Sequence, residues 1–287
     1  MILGAVARRP NRGDRQRDPR GQRGSLPFPA LLVALVAIAF FALPFVGLLW
    51  RAPWSTAWDV LRDHDVRTAL WLSIRCSLAA AGFALAFGVP LAWLLARVRF
   101  PGRGVVRALC TLSMVLPPVV GGVALFFSFG RRGLFGQYLD RWFGIRLPFT
   151  TWGVVVAQTF VAMPFLVLTV EASLRQLDGR FEEAARTLGA SRWYVFRRVT
   201  LPAIRPALIA GSVLAWARAL GEFGATITFA GNYPGTTQTM PLVTYVALES
   251  NPDEALILSL VLIAVSFAVL VGLRDRWLGG ISRAGAP

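Results

Sequence analysis

Apolar residues in this chain come in blocks. Six stretches, roughly 30–50, 69–95, 105–129, 150–172, 206–230 and 255–275, each run for about 20 residues or more with few charges. Helices of that length cross the ~30 Å hydrocarbon layer of a bilayer. The pattern predicts an all-α integral membrane protein with about six transmembrane helices. Two blocks are irregular. The second places Arg75 in its first turns, where a long side chain can reach the interface. The third contains "LPPVVGG", Leu116 to Gly122. Paired prolines and glycines at that depth predict either an ordinary packing kink or a helix broken beside protein or a watery path.

The polar connections set the orientation. Arginines number seven in residues 1–28, four in 97–107, seven in 173–205 and three at the C-terminal end, from Arg274 on. The alternate connections carry three in 51–68, four in 130–149 and none in 231–254. The positive-inside rule then places both termini in the cytoplasm. Residues 1–28 are too polar and proline-rich to build a core and read as a disordered tail. A cleaved signal peptide is the competing reading. The basic region is long and the block after it exceeds about 15 residues, which favours an uncleaved first span. The expected organisation is a tail over 1–28, a membrane domain over 29–277 and a short cytoplasmic end over 278–287, with no appended regulatory domain.

Composition narrows the function. The chain is 55% hydrophobic with a mean hydropathy of +0.57, beyond what soluble domains usually sustain. All 30 basic residues are arginine, against 15 acidic residues, for a net charge of +15. A basic chain raises nucleic acid as a partner, but these arginines lie between apolar blocks and in the tail, as membrane orientation requires. A P-loop needs lysine at the phosphates, and the chain contains none. Any ATP that drives it is hydrolysed by another polypeptide. One histidine, His64, and two cysteines, Cys76 and Cys110, are too few to build a zinc or iron–sulfur site. No cofactor is expected, and no arrangement of nucleophile and base suggests an enzyme.

The connection 173–205 holds a compact helix-prone insert, "EEAARTLGASRWYVFRRVTLP", Glu182 to Pro202. Phe181 to Leu188 favours helix, with Asp178 able to cap its start and Glu182 and Glu183 suited to its positive end. Ala184, Ala185 and Leu188 share one face, and Gly189 suits a C-terminal cap. A second piece begins near Ser191, presents Trp193, Phe196 and Val199 at successive i+3 steps, and is expected to stop at Pro202. Burying ~200 Å² of such a surface in a partner's cleft contributes on the order of 5 kcal/mol before ordering costs. An amphipathic loop lying on the lipid surface is the alternative.

The fifth block carries Arg218 and Glu222, four residues apart on one helical face. A charge at mid-membrane costs about 2.5–3.5 kcal/mol, so the two must pair or face a polar path. Either they form a static ion pair or they line or gate an anion route, with Thr226 and Thr228 offering neutral hydroxyls nearby. The connection 231–254 lacks arginine and carries Glu249, Asp253 and Glu254, which agrees with a separate extracytoplasmic protein making the first capture.

The spacing of Glu183-Ala184-Ala185, three residues, Gly189, nine residues, then Val199-Thr200-Leu201-Pro202 resembles the signature loop of ABC importer permeases. Val199 stands where that pattern has isoleucine. The resemblance implies the type I importer permease fold and a loop docked on an ATP-binding subunit. It implies a coupling role for Glu183, Ala184, Ala185, Gly189, Leu201 and Pro202. The stretch Ala217 to Ser250, with "GEFGA", "AGN", "PG" and "TQT-PL", is similar to the molybdate branch of the molybdate and sulfate permeases. So are "LPPVVGG" and "GRRGLFG", Gly130 to Gly136. This second likeness covers about residues 65–275. It implies a multi-pass permease subunit in the bacterial cytoplasmic membrane, working as a homodimer with two ATP-binding subunits and an extracytoplasmic oxyanion-binding protein. Sulfate, thiosulfate or tungstate are the alternative cargoes. An ion-coupled secondary carrier is the alternative class, disfavoured because no internal repeat is visible.

Overall fold

A computed structural model of the protein describes residues 28–281. The expectations for residues 1–27 and 282–287 lie outside the described residues. The chain divides into two units, Met1–Trp50 and Arg51–Pro287. All but the last residue of α1, Phe28–Arg51 with Pro44 inside it, falls in the first. Its length and composition suit a membrane crossing.

The second unit is helical among its described residues: α2 (Ala57–Arg62), α3 (His64–Arg97), α4 (Arg103–Val115), α5 (Pro118–Phe129), α6 (Gly136–Phe143), α7 (Thr151–Gln176), α8 (Arg180–Thr187), α9 (Arg192–Val195), a π-helical turn (Phe196–Thr200), α10 (Leu201–Ala203), α11 (Arg205–Leu220), α12 (Gly224–Phe229), α13 (Met240–Ser250) and α14 (Pro252–Ile281). Four described helices, α1, α3, α7 and α14, are long and apolar enough to cross a membrane, and a pair bent by 70° at Ile204 adds a fifth.

The core forms where α3, α7 and α11 pack. Cys76 clusters with Val154 and Val155, and further along Gly88 abuts Leu166 and Val167. Both helices advance in the same direction, so α3 and α7 run parallel. Small residues make this closeness possible. Ala80, Ala84 and Ala92 are buried on α3, and a Cβ at Gly88 would lie 2.9 Å from Leu166 Cδ2. Apolar lipid cannot drive helices together by the hydrophobic effect, so close van der Waals packing does the work.

Two of the six expected spans are divided. The 105–129 block splits at Leu116–Pro117 into α4 and α5, the broken form of the two readings. Pro117 and Pro118 lack the N–H groups that would continue α4. The 206–230 block, expected as one span, splits at Gly221–Phe223 into α11 and α12. The two breaks face each other. A Cβ at Gly224 would lie 2.9 Å from Pro118 Cβ, and one at Gly122 would lie 2.8 Å from the Ala225 carbonyl oxygen and 1.8 Å from Thr228 Oγ1. The glycines of "LPPVVGG" and "GEFGA" therefore let α5 and α12 touch backbone to backbone. Gly122→Ala forces these half-helices apart, an overpacking cost of about 1–3 kcal/mol or more. The yield of monodisperse protein extracted from membranes is expected to drop severalfold. Gly221→Ala meets only the Ala217 carbonyl at 3.7 Å and should be neutral in the same measurement.

Glu222 is not the one acid buried in the apolar blocks. Glu171, near the end of α7, is buried and binds Arg107 of α4 and Arg175 one turn on. This pair ties the amphipathic α4 to the core. At the opposite end, the α6 hairpin is held by Asp140, which accepts from Arg146 at 2.8 Å and Arg131 at 3.1 Å. The hydrogen bond from Arg146 holds the Asp140 carboxyl below its usual range, and Arg131 adds to it. Arg75 is exposed and lies over the Trp71 ring at 4.4 Å.

Candidate functional site: an exposed helical loop and a broken helix

The loop from α7 to α11 is built from short helices with local stops. Asp178 Oδ1 accepts from Arg180 N at 3.0 Å just ahead of α8, but the N-cap is Gly179 and not Asp178. Gly189 closes α8 with φ +82°. Its N–H donates to the Arg186 carbonyl at 2.9 Å, and the Ala190 N–H donates to the Ala185 carbonyl at 3.1 Å, which satisfies the last turn. Ser191 then caps α9, its hydroxyl accepting from Tyr194 N at 3.2 Å.

The second piece does not stop at Pro202. Helical backbone continues through the π-turn and α10 to Ile204, where the chain bends by 70° into α11. Pro202 cannot donate to the Arg198 carbonyl, and the wide turn at Phe196–Thr200 absorbs that lost bond. The aromatic ridge also differs in detail. Trp193 stacks on Phe196 with centroids 5.8 Å apart, but the residue that points into the protein is Val195, which is buried.

Among its exposed arginines this loop also presents large apolar side chains outward. Phe181 is 64% exposed, Leu188 89% and Trp193 68%. Glu183 and Ala184 are exposed beside them, Ala185 is half-buried, and α8 buries no residue. Leu201 is half-buried and Pro202 exposed. Large apolar side chains left exposed on α8, at its C-cap and on α9 are the kind of surface a partner covers.

Sequence reasoning missed the contacts that hold this loop to the core. Glu182, beside the signature residue Glu183, accepts from Thr200 Oγ1 at 2.9 Å and from Arg97 at 3.2 Å. Arg97 also donates to the Leu177 carbonyl at 3.4 Å. The signal was an arginine closing the second apolar block and a second acid next to the motif, but nothing local links positions 85 residues apart.

At the break between α11 and α12, Arg218 and Glu222 pair at 2.7 Å, Glu222 fully buried and Arg218 30% exposed. Glu222 has a second task. Its Oε1 accepts from Ala225 N at 2.9 Å, so the carboxylate caps the first turn of α12 where backbone acceptors run out. The Thr228 hydroxyl donates to the Gly224 carbonyl at 2.8 Å. Thr226 is buried, its hydroxyl without a protein partner. The four residues thus gather on one broken segment, with Arg218 at its accessible edge. The loop and the break lie at opposite ends of α11.

Comparison with known proteins agrees with this architecture. The profile of the family described as "Binding-protein-dependent transport system inner membrane component" matches residues 88–280. The molybdenum transport system permease protein ModB of Mycobacterium tuberculosis strain H37Rv is 45% identical over 88% of this chain and 95% of its own length. The protein of the same description from Escherichia coli strain K12 is 44% identical over 78% of this chain and 97% of its length. The sulfate transport system permease protein CysT of Salmonella typhimurium strain LT2 is 39% identical over 84% of this chain and 87% of its length. Among solved structures, a bacterial ABC transporter involved in alginate import superposes with a TM-score of 0.67 at 19% identity, covering 91% of this chain and 96% of that one. The MetNI methionine ABC transporter gives 0.57 at 19% identity, covering 76% and 95%. These two speak for the fold. With two thirds of its length matched by the family profile and close relatives aligned nearly end to end, this chain belongs to the binding-protein-dependent transport system inner membrane components.

Proposed function

We propose that this chain is the membrane-spanning permease subunit of an ATP-driven importer of molybdate. The observation that carries the coupling half of this reading is the outward apolar surface of Phe181, Leu188 and Trp193 around the glycine-closed α8. A partner that covers it supplies the ATP hydrolysis this lysine-free chain cannot perform. Glu183, Ala184, Ala185 and Gly189 present the docking helix, and Leu201 and Pro202 carry its displacement into α11. Both termini and this loop lie on the cytoplasmic side, following the arginine distribution. Two ATP-binding subunits sit on a pair of identical chains related by two-fold symmetry. An extracytoplasmic oxyanion-binding protein delivers cargo to the opposite face. Arg218, Glu222, Thr226 and Thr228 stand at the gate of the route. Support for molybdate is the 44–45% identity to molybdenum permeases, above the 39% to a sulfate permease.

Sulfate is the second reading, since both are tetrahedral dianions and the sulfate permease aligns over most of its length. The test is uptake into proteoliposomes containing this chain, its companion ATPase and its binding protein. Uptake of radiolabelled molybdate that requires ATP inside and the binding protein outside is expected. Excess unlabelled sulfate should compete weakly. Uptake driven by an ion gradient without ATP overturns the importer reading. A binding protein that takes sulfate tightly and ignores molybdate overturns the cargo.

A further inference from the structure

We infer that Glu182, held by Arg97 and Thr200, is the positioning residue that delivers movement of α8 to the membrane helices. The inference rests on the reading that α8 docks on an ATP-hydrolysing partner. The signature glutamate Glu183 is exposed and free to meet that partner, whereas its neighbour Glu182 turns inward.

Three observations support this. First, α8 buries none of its residues. Packing alone attaches it only weakly, and a push on it would otherwise be absorbed by the glycine-closed loop. Second, a cavity of about 300 Å³ separates the end of α3 from the loop, lined by Trp93, Arg97, Glu182, Arg192, Phe196 and Thr200. The carboxylate of Glu182 bridges it. Third, that one carboxylate oxygen joins two different elements. Arg97 ends α3, and Thr200 ends the π-turn that feeds α10 and α11. Arg97 also holds the Leu177 carbonyl at the exit of α7. A displacement of α8 therefore reaches α3, α7 and α11 together, the three helices that form the core. The Glu182 side chain is 12% exposed and that of Arg97 22%, so water screens the pair less than it would a surface ion pair. Losing one partner leaves the other charge with few hydrogen-bonding alternatives.

The test uses the reconstituted complex with binding protein and measures three quantities: ATPase subunit retained on the purified permease, ATP hydrolysed, and molybdate imported. Glu182→Ala is expected to retain the ATPase subunit in normal amount and to keep hydrolysis. Import per ATP should fall at least tenfold. Glu182→Gln keeps an acceptor for Thr200 and should fall less, to between one half and one fifth. Should Glu182→Ala fail to accumulate, Thr200→Val removes one hydrogen bond at nearly constant volume and is expected to lower import per ATP at least threefold. Unchanged import per ATP in Glu182→Ala or Thr200→Val overturns the inference. Loss of the ATPase subunit from Glu182→Ala also overturns it, because Glu182 would then be a docking contact. If the unaltered chain retains no ATPase subunit, the docking reading itself has failed.

Discussion

Valine at position 189 is expected to leave the protein in the membrane at its normal level and to abolish import while ATP hydrolysis continues. Gly189 sits at φ +82°, a conformation that costs an ordinary L-residue about 1–2 kcal/mol and a β-branched one more. No atom lies within 4 Å of a Cβ built there, so the effect is purely backbone strain. That strain falls on the two hydrogen bonds that finish α8, Gly189 N to the Arg186 carbonyl and Ala190 N to the Ala185 carbonyl. Leu188, 89% exposed, is displaced with them, and the proposed docking surface with it. Since no residue of α8 belongs to the buried core, the membrane core folds regardless. Import is expected to fall at least tenfold in proteoliposomes, with the permease amount in membranes unchanged by immunoblot. Gly189→Asn should retain most import, because asparagine tolerates this backbone region. Normal import by the valine variant would remove the support for a docked loop.

The second large effect is at the broken helix. Glu222→Gln leaves the Arg218 guanidinium without a counter-charge at membrane depth. Breaking a buried pair by removing one partner costs about 3–5 kcal/mol. The lower end applies here, since Arg218 is 30% exposed. Folded protein in the membrane is expected to drop at least fivefold. Arg218→Gln combined with Glu222→Gln removes both charges, and the amide oxygen of glutamine can still accept from Ala225 N, as Glu222 Oε1 does at 2.9 Å. The double variant should therefore recover folded protein to near its normal amount, read by thermal aggregation of detergent-solubilised samples. If import by that variant stays low, the pair serves the route as well as the fold. A double variant as unstable as the single one would show that the charges do not support each other.

The two breaks show where reading along the chain stops. "LPPVVGG" announces a discontinuity through proline chemistry, which is local, and α4 does end at Val115. The break at Gly221–Phe223 has no proline. Its glycines look like ordinary small residues of a span until Gly224 is seen against Pro118 and Gly122 against Ala225. Two segments about a hundred residues apart need each other's missing side chains, and neither stretch records that need alone. Glu182 and Glu183 make the same point at the loop. Both acids suit the first turn of a helix, and only the fold aims one inward at Arg97 and leaves the other outside.

Length and hydropathy blocks were enough to establish a membrane chain, and the lack of lysine was the ground for expecting its ATP hydrolysis from another polypeptide. The spacing of one polar loop was enough to foresee α8 and its close at Gly189. These follow from interactions within a few residues, or from the solvent a whole segment requires. The pairing of the half-helices α5 and α12, the burial of Glu171 and the bridge at Glu182 came only with the packed molecule. Each depends on which distant backbone or charge lies within 4 Å, and that is decided when α3, α7 and α11 close on one another.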